Sequence, residues 1–502
     1  MKQLINNIVF VCSVTILVTA CKRDSLMDTK PTSDIPDLSV YSTKEQIVNQ
    51  IRALYSSFKN GQFHGGRFLI YNDIRSEEFL NEKTNGVTGL QTWNHTLTNT
   101  VAEVNGLWAQ GFLAINNCNI FLDGMAEKGT AVVGDSLSKN YTAEARLIRG
   151  YAYYCLLQLY ARPYWDGNGT KPGLPLRISG NKLRADYQLA RSSIAEVYAQ
   201  VISDLNYAEA NLPKTYGSSA AELNTTRVHR NTAIALKTRV YLSMQKYAEV
   251  ITEANKIVTA SAPFTATVTP GVAHALQPDI TKVFTTYNTT ESIFSLPMTS
   301  TTGDNPGTQN QLAYYYSPAS SLGGVGNGEY ALNITGIIGN NIAWPATDKR
   351  RDFVKTTGTT TKKYFLSKFS APSPYTDYVP VIRYSEVLLS LAEARVRSTN
   401  SVDAQAVALL NAVRNRSDAT KTFTTGDFAS ATDLINAILI ERRIEFLGEG
   451  RRSPDLLRLG LTIPAKSSTS SSVPAIAPTD KQYIWPISST ELDLNKLCED
   501  NK

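Results

Sequence analysis

The chain has 502 residues, 42% of them apolar, and carries 50 Lys and Arg against 44 Asp and Glu for a formal charge of +6. That apolar content can fill a core, and the length suits one large domain or two to three ordinary ones. The basic residues are scattered instead of gathered in a stripe, which argues against a nucleic-acid partner.

The first twenty residues read as an export signal. Lys2 supplies a positive charge, and Ile8 to Val18 form an uncharged apolar run of 11 residues. A bilayer core of about 30 Å takes roughly 20 apolar residues, so the run is too short to span one. It ends in Val18-Thr19-Ala20-Cys21, small residues followed by a thiol at the first mature position, as a bacterial lipobox requires. Cys21 is therefore the expected lipidation site. With more than one acyl chain attached, each buried methylene contributing about 0.8 kcal/mol, the anchor is stable. Cleavage removes Cys12, which leaves Cys118, Cys155 and Cys498. The odd count argues against a disulfide framework, and Cys118 and Cys155 fall in helical patterns where a buried thiol is expected.

Residues 21–40 contain Pro31, Pro36 and several Asp and Ser with no helical period, a flexible tether reaching roughly 60 Å. Helical patterns follow over Thr43–Lys59, Val101–Met125, Thr142–Tyr160, Ser193–Leu212 and Asn231–Val258. In the third, Ala145, Ile148, Ala152, Cys155 and Leu159 draw one apolar stripe, and Gly150 with Ala152 permits close helix approach. Residues 235–251 have the texture of a tetratricopeptide hairpin, and Tyr384–Arg397 with Val402–Arg416 form a second such pair. Stacked pairs of this kind bury a continuous seam. Between them, Pro263 to Pro380 is crowded with Thr, Ser, Gly, Asn and Pro, with short strands such as Ser292–Leu296. A long irregular segment on a rigid scaffold is where binding residues are expected.

Leu434 to Gly460 read LINAILIERRIEFLGEGRRSPDLLRLG. Ala437, Ile440, Ile444 and Leu447 are expected to form the buried stripe, with Glu441, Glu445 and Glu449 aligned at four-residue spacing. Three like charges on one face need cations to answer them. Arg442 and Arg452 are in reach along the chain, and Arg146 or Arg149 are candidates from the earlier helix. A structural ion network is expected here, not a catalytic one.

This segment resembles the C-terminal signature of the SusD/RagB family of surface nutrient-binding lipoproteins. Tyr141–Tyr160 with Gly173-Leu174-Pro175-Leu176, Val381–Leu389 with Ala392-Glu393-Ala394, Leu410–Arg414, and Tyr483–Ile487 with Glu491 and Asn495 follow in the family's order. The resemblance implies a mostly α fold: tetratricopeptide-like hairpins beside a loop-rich ligand face with a few short strands. It places a single domain over 41–502, divided into an N-terminal helical half (41–262), a variable segment (263–380) and a C-terminal helical part (381–502). It also implies a glycan ligand, an outer-membrane position with the lipid anchor holding the protein at the cell surface, and a partner transporter of the SusC-like TonB-dependent type contacted by the repeat side.

Tyrosines number 25 against 16 Phe and 5 Trp, and their apolar rings with hydroxyls suit polar ligands as well as partly wet cores. Sugar rings offer flat C–H faces and fans of hydroxyls, so a glycan site pairs aromatic platforms with planar hydrogen-bonding groups. Trp93, Tyr314, Tyr316 and Trp344 fall near where starch-binding relatives place their aromatic arc, and Asp73, Arg75 and Asn94 near the polar contacts. In a strand, Tyr314 and Tyr316 would share a face. No H-E-x-x-H, paired-cysteine metal spacing, G-x-S-x-G elbow or phosphate loop is present, so no catalytic residue, metal or cofactor is expected. Gly324–Gly328 lacks the strand and helix a dinucleotide fingerprint needs. The alternatives are a peptide-binding uptake protein of the same fold and a surface glycoside hydrolase, which needs only two carboxylates.

Overall fold

The computed structural model describes residues 37–181, 187–266 and 271–501. The expected signal segment, Cys21 and most of the tether lie outside these residues. Asp37–Tyr41, where the tether was expected to end, form a 3-10 turn.

The principal helices are α1 (Lys44–Phe58), α2 (Arg67–Ile74), α3 (Ala102–Gly124), α4 (Asp135–Tyr160), α5 (Ile194–Asn211), α6 (Arg230–Ser243), α7 (Tyr247–Ala254), α8 (Leu312–Tyr316), α9 (Tyr384–Thr399), α10 (Ala404–Ser417), α11 (Ala431–Glu445) and α12 (Arg452–Arg458). They stack in succession: α1 on α3, α3 on α4, α4 on α5, α5 on α6, α6 on α7, α7 on α9, and α9 on α10 and α11. The expected hairpins are α6–α7 and α9–α10, and α4–α5 is a third pair across a longer loop.

Local chemistry sets these elements. The apolar stripe from Ala145 to Leu159 is buried along its length. A Cβ on Gly111 would meet Leu156 Cδ2 at 2.8 Å, and one on Gly150 would meet Asp204 Cβ at 2.9 Å, so α4 approaches both neighbours at distances only glycine allows. Ser193 and Glu196 form a capping box that starts α5. Asn400 ends α9 in the left-handed region at φ 49°, and Asp403 caps α10 by accepting from the Ala406 amide at 2.7 Å.

Strands β1 (Phe79–Asn81), β2 (Pro172–Pro175), β3 (Arg191–Ser193), β4 (Ser292–Leu296), β5 (Tyr330–Leu332), β6 (Val354–Thr357), β7 (Lys363–Leu366) and β8 (Val379–Arg383) are short. Antiparallel β4, inside the irregular segment, pairs with β8 at its end, so residues 297–378 leave and return at one place. Tyr314 to Tyr316 lie in the short helix α8 rather than a strand, because each ring has its own partner. Tyr315 stacks on Tyr330 at 6.0 Å, Tyr316 stacks on Phe79 at 4.9 Å, and Tyr314 meets Tyr375 edge-on at 6.0 Å.

The acidic face of α11 points inward. Leu434, Ile438, Glu441 and Glu445 are buried, whereas Ala437 and Ile440 are half-buried. The answering cations differ from those expected along the chain. Glu441 binds Arg350 at 2.6 Å and Arg414 at 2.9 Å; Glu445 binds Arg350, Arg383 and Arg416 at 3.0, 2.8 and 2.6 Å. Glu449 binds Arg383 and Lys368, each at 2.9 Å. Arg442 instead pairs with Asp455, Arg452 with Glu77, and Arg146 and Arg149 with Asp204. The three glutamates are answered by groups distant in sequence, whereas the cations expected along the chain are committed to other carboxylates. The network thereby clamps the irregular segment, through Arg350 and Lys368, onto α10 and α11. One apolar cluster runs from Tyr41 to Cys498, and among the described residues no helix is long and apolar enough to cross a membrane.

Candidate ligand-binding grooves

Five of the residues expected to meet a ligand are core groups. Trp93 is 0% exposed, donates its indole N–H to the Phe79 carbonyl at 2.8 Å and lies under the Lys466 ammonium. Trp344 is 1% exposed beneath the Arg351 guanidinium, 4.3 Å away. Tyr316 donates to Asp73 at 2.9 Å, and the same carboxylate oxygen accepts from the Gly450 amide at 2.9 Å. Burial raises the Asp73 carboxyl to about 7 against those two donors. Arg75 donates to the carbonyls of Gln482 and Tyr483, fastening the C-terminal segment. For Trp93 and Tyr316 the correction has a simple cause: the polar tip that suits an aromatic to a sugar also lets it be buried with its hydrogen bond satisfied, whereas Trp344 is covered by Arg351 with its indole N–H unpaired among the described residues. Asn94 and Tyr314 remain partly exposed; Asn94 Oδ1 accepts from Ser471 at 3.2 Å, and Tyr314 O–H from Gln309 at 3.4 Å.

Two large grooves lie elsewhere, along a seam between the loop after α4 and the C-terminal segment. The first, about 760 Å³, is lined by Trp165, Asp166, Lys171, Arg191, Asp480, Lys481 and their neighbours. Trp165 is fixed from behind. Its indole N–H donates to the Leu457 carbonyl at 2.8 Å, and Gly460, at φ 65°, sits so close that a Cβ there would lie 3.0 Å from the ring. Asp166 accepts from Arg162 at 2.5 Å and Lys171 at 2.6 Å. Burial opposes its charge, but those hydrogen bonds hold its carboxyl below the ordinary range. Arg191 donates to the carbonyls of Gly173, Pro172 and Glu499 at 2.8, 2.9 and 3.1 Å, joining β2 to the chain's last residues. Burial lowers its pKa.

The second groove, about 640 Å³, lies between α3 and the same two segments, with Trp108, Phe112, Leu113, Leu176, Ile178 and Leu494 on its walls. Trp108 packs on Phe112 at 4.7 Å and points its N–H at Glu491, 3.4 Å away. Arg177 pairs with Glu491 at 3.1 Å and donates to the Tyr187 carbonyl at 2.9 Å. Between the grooves, Asn495 clasps the backbone of Leu189, accepting from its amide at 2.9 Å and donating to its carbonyl at 2.7 Å. Both grooves sit within a pocket size that holds an oligosaccharide of a few rings, since ligand pockets run about 300–1,000 Å³.

Sequence reading missed Trp165. Its signal was Tyr164-Trp165-Asp166-Gly167-Asn168-Gly169, an aromatic beside a carboxylate and turn formers just after a long helix, the same pairing sought in the variable segment. Trp108 gave no such signal, because it falls within a long helical pattern, where an aromatic reads as core.

A family model described as the SusD family matches residues 127–502. The SusD-like protein P2 of Formosa agariphila is 23% identical over 93% of this chain and 94% of its own length. A SusD superfamily protein from Bacteroides fragilis is 31% identical with a TM-score of 0.79, over 92% of this chain and all (100%) of its own. A laminarin-binding SusD-like protein shares the fold, with a TM-score of 0.68 at 20% identity over 92% of this chain and 99% of its own.

Proposed function

This chain belongs to the SusD family, and on that premise we propose that it captures oligo- or polysaccharide at the cell surface and passes it unaltered to a TonB-dependent outer-membrane transporter. The anchor in this reading is a lipid on Cys21. The observation that carries the binding half is the first groove. A tryptophan ring held in place by Leu457 and Gly460 stands beside carboxylates and cations, the pairing that stacks on a sugar ring and bonds its hydroxyls. Carbohydrate binding by a solved relative of the same fold supports it.

Asn94 and Tyr314 remain as outlying contacts, and Trp93, Asp73, Arg75, Tyr316 and Trp344 act as the packed support behind the surface. Binding without cleavage is the reading that the family and its carbohydrate-binding relative support, and Asp166, held as a carboxylate by Arg162 and Lys171, is suited to accept from sugar hydroxyls. The test is retention of the full chain on a polysaccharide array, followed by loss of retention in Trp165→Ala. Retention on oligopeptides alone, or release of reducing sugar on incubation, would replace this reading with one of its alternatives. Co-purification of a TonB-dependent transporter from detergent-solubilised outer membrane tests the delivery half.

A further inference from the structure

The second groove differs chemically from the first. Among the residues lining it, the cation Arg177 and the anion Glu491 are bonded to each other, so the surface is electrically neutral. Its amides are occupied as well. Asn116 spends its side-chain amide on the Asn181 main chain, donating to its carbonyl at 2.9 Å and accepting from its N–H at 2.8 Å, Asn495 is spent on Leu189 and Glu491, and Gln188 is spent on Leu494 and Lys496. The exception is Asn181 Oδ1, an acceptor for which the described residues provide no donor. Meanwhile Leu113, Ile178 and Leu494 stand 48%, 53% and 58% exposed on the walls. A densely hydroxylated sugar entering here would give up water with few partners to replace it. An apolar substituent would give up fewer hydrogen bonds to water and would cover those side chains.

Resting on the glycan reading, we propose that the second groove is a subsite for apolar O-acyl substituents of a saccharide whose unsubstituted rings lie in the first groove. The two grooves share both walls, the loop after α4 and the C-terminal segment. Leu494 on the second groove and Leu497 on the first, 58% and 56% exposed, lie three residues apart in the C-terminal segment.

The test uses the full chain with laminarin, glucomannan and xylan, each presented saponified and after partial chemical O-acetylation. The acetylated form of a retained polysaccharide should bind at least about fourfold more tightly, the factor that one buried methyl is worth. Ile178→Asp and Leu113→Asp should abolish that preference without changing the melting temperature or the affinity for the saponified form. Equal affinity for both forms in the unaltered protein overturns the inference and leaves the glycan reading standing; equal affinities with a transporter complex lost in Ile178→Asp reassign the groove to a protein partner. Retention of no polysaccharide in either form counts against both.

Discussion

Arg383 and Glu445 meet at 2.8 Å with side chains 1% and 0% exposed, and Glu445 answers two further arginines, Arg350 and Arg416. These charges come from β8, α10, α11 and the irregular segment, so the group fixes how the loops sit on the helices. Glu445→Gln leaves three guanidiniums short of an anion in a buried setting. Breaking a buried pair from one side costs about 3–5 kcal/mol. Urea unfolding should show that loss, and a cost under about 1 kcal/mol, the value of an exposed pair, would mean that water reaches the network.

Asp73 and Glu386 respond to pH in opposite senses. Arg239 holds the Glu386 carboxyl down to about 2 against its burial, below the ordinary 4.5. Its stabilising contribution is thus complete above about 4.5 and lost as pH falls towards 2. Burial raises Asp73 from 3.8 to about 7, so its contribution is complete below 3.8 and disappears as pH rises through 7. Asp73→Asn keeps a carbonyl oxygen for both Tyr316 and Gly450 but has no charge to desolvate. The variant should match the parent near pH 4 and exceed its stability at pH 8, by on the order of 1–3 kcal/mol. Melting curves at the two pH values decide it; a variant less stable at both would show that Asp73 is needed as the anion.

Cys118, Cys155 and Cys498 are buried and unpaired. Burial pushes the thiols of Cys155 and Cys498 up to about 12 and about 11, and that of Cys118 further still. Thiolate is the reactive form, so at pH 8 the native mature protein should give almost no reaction with an aromatic disulfide reagent, and three equivalents after denaturation. One fast equivalent in the native state would place Cys498, beside the first groove, in solvent.

Much of the helical frame was legible because its signals are local. The stripe on α4, the hairpin turns and strand β4 all stand where periodicity and turn formers put them. The ion network was legible only in kind. Like charges at four-residue spacing demanded cations, but Arg350, Arg383, Arg414 and Arg416 are brought to them by tertiary contacts that no local pattern encodes. The site was harder still, because an aromatic beside an amide or carboxylate reads alike whether its polar tip bonds a sugar or a main-chain carbonyl inside the protein. Trp93 and Trp165 each donate an indole N–H to a main-chain carbonyl at 2.8 Å, and the difference is that Trp165 lines a groove.

That difference separates two substitutions sharply. Trp93→Ala empties a fully buried site under Lys466 and leaves the Phe79 carbonyl without its donor, so it should cost about 3–5 kcal/mol and lower binding only through lost protein. Trp165→Ala removes a partly exposed ring that packs on Gly460 and donates to Leu457, so it should cost less than Trp93→Ala, about 1–3 kcal/mol. Glycan retention should nevertheless vanish, because Trp165 is the one aromatic ring among the described residues that line the first groove, the platform on which a sugar ring stacks. Trp165→Phe, which keeps a ring but loses the bond to Leu457, should retain part of the affinity. Calorimetric melting paired with affinity electrophoresis on the retained polysaccharide measures both effects. If Trp165→Ala melts normally and still binds with full affinity, the first groove is not the saccharide site, and the outlying face of Asn94 and Tyr314 takes its place.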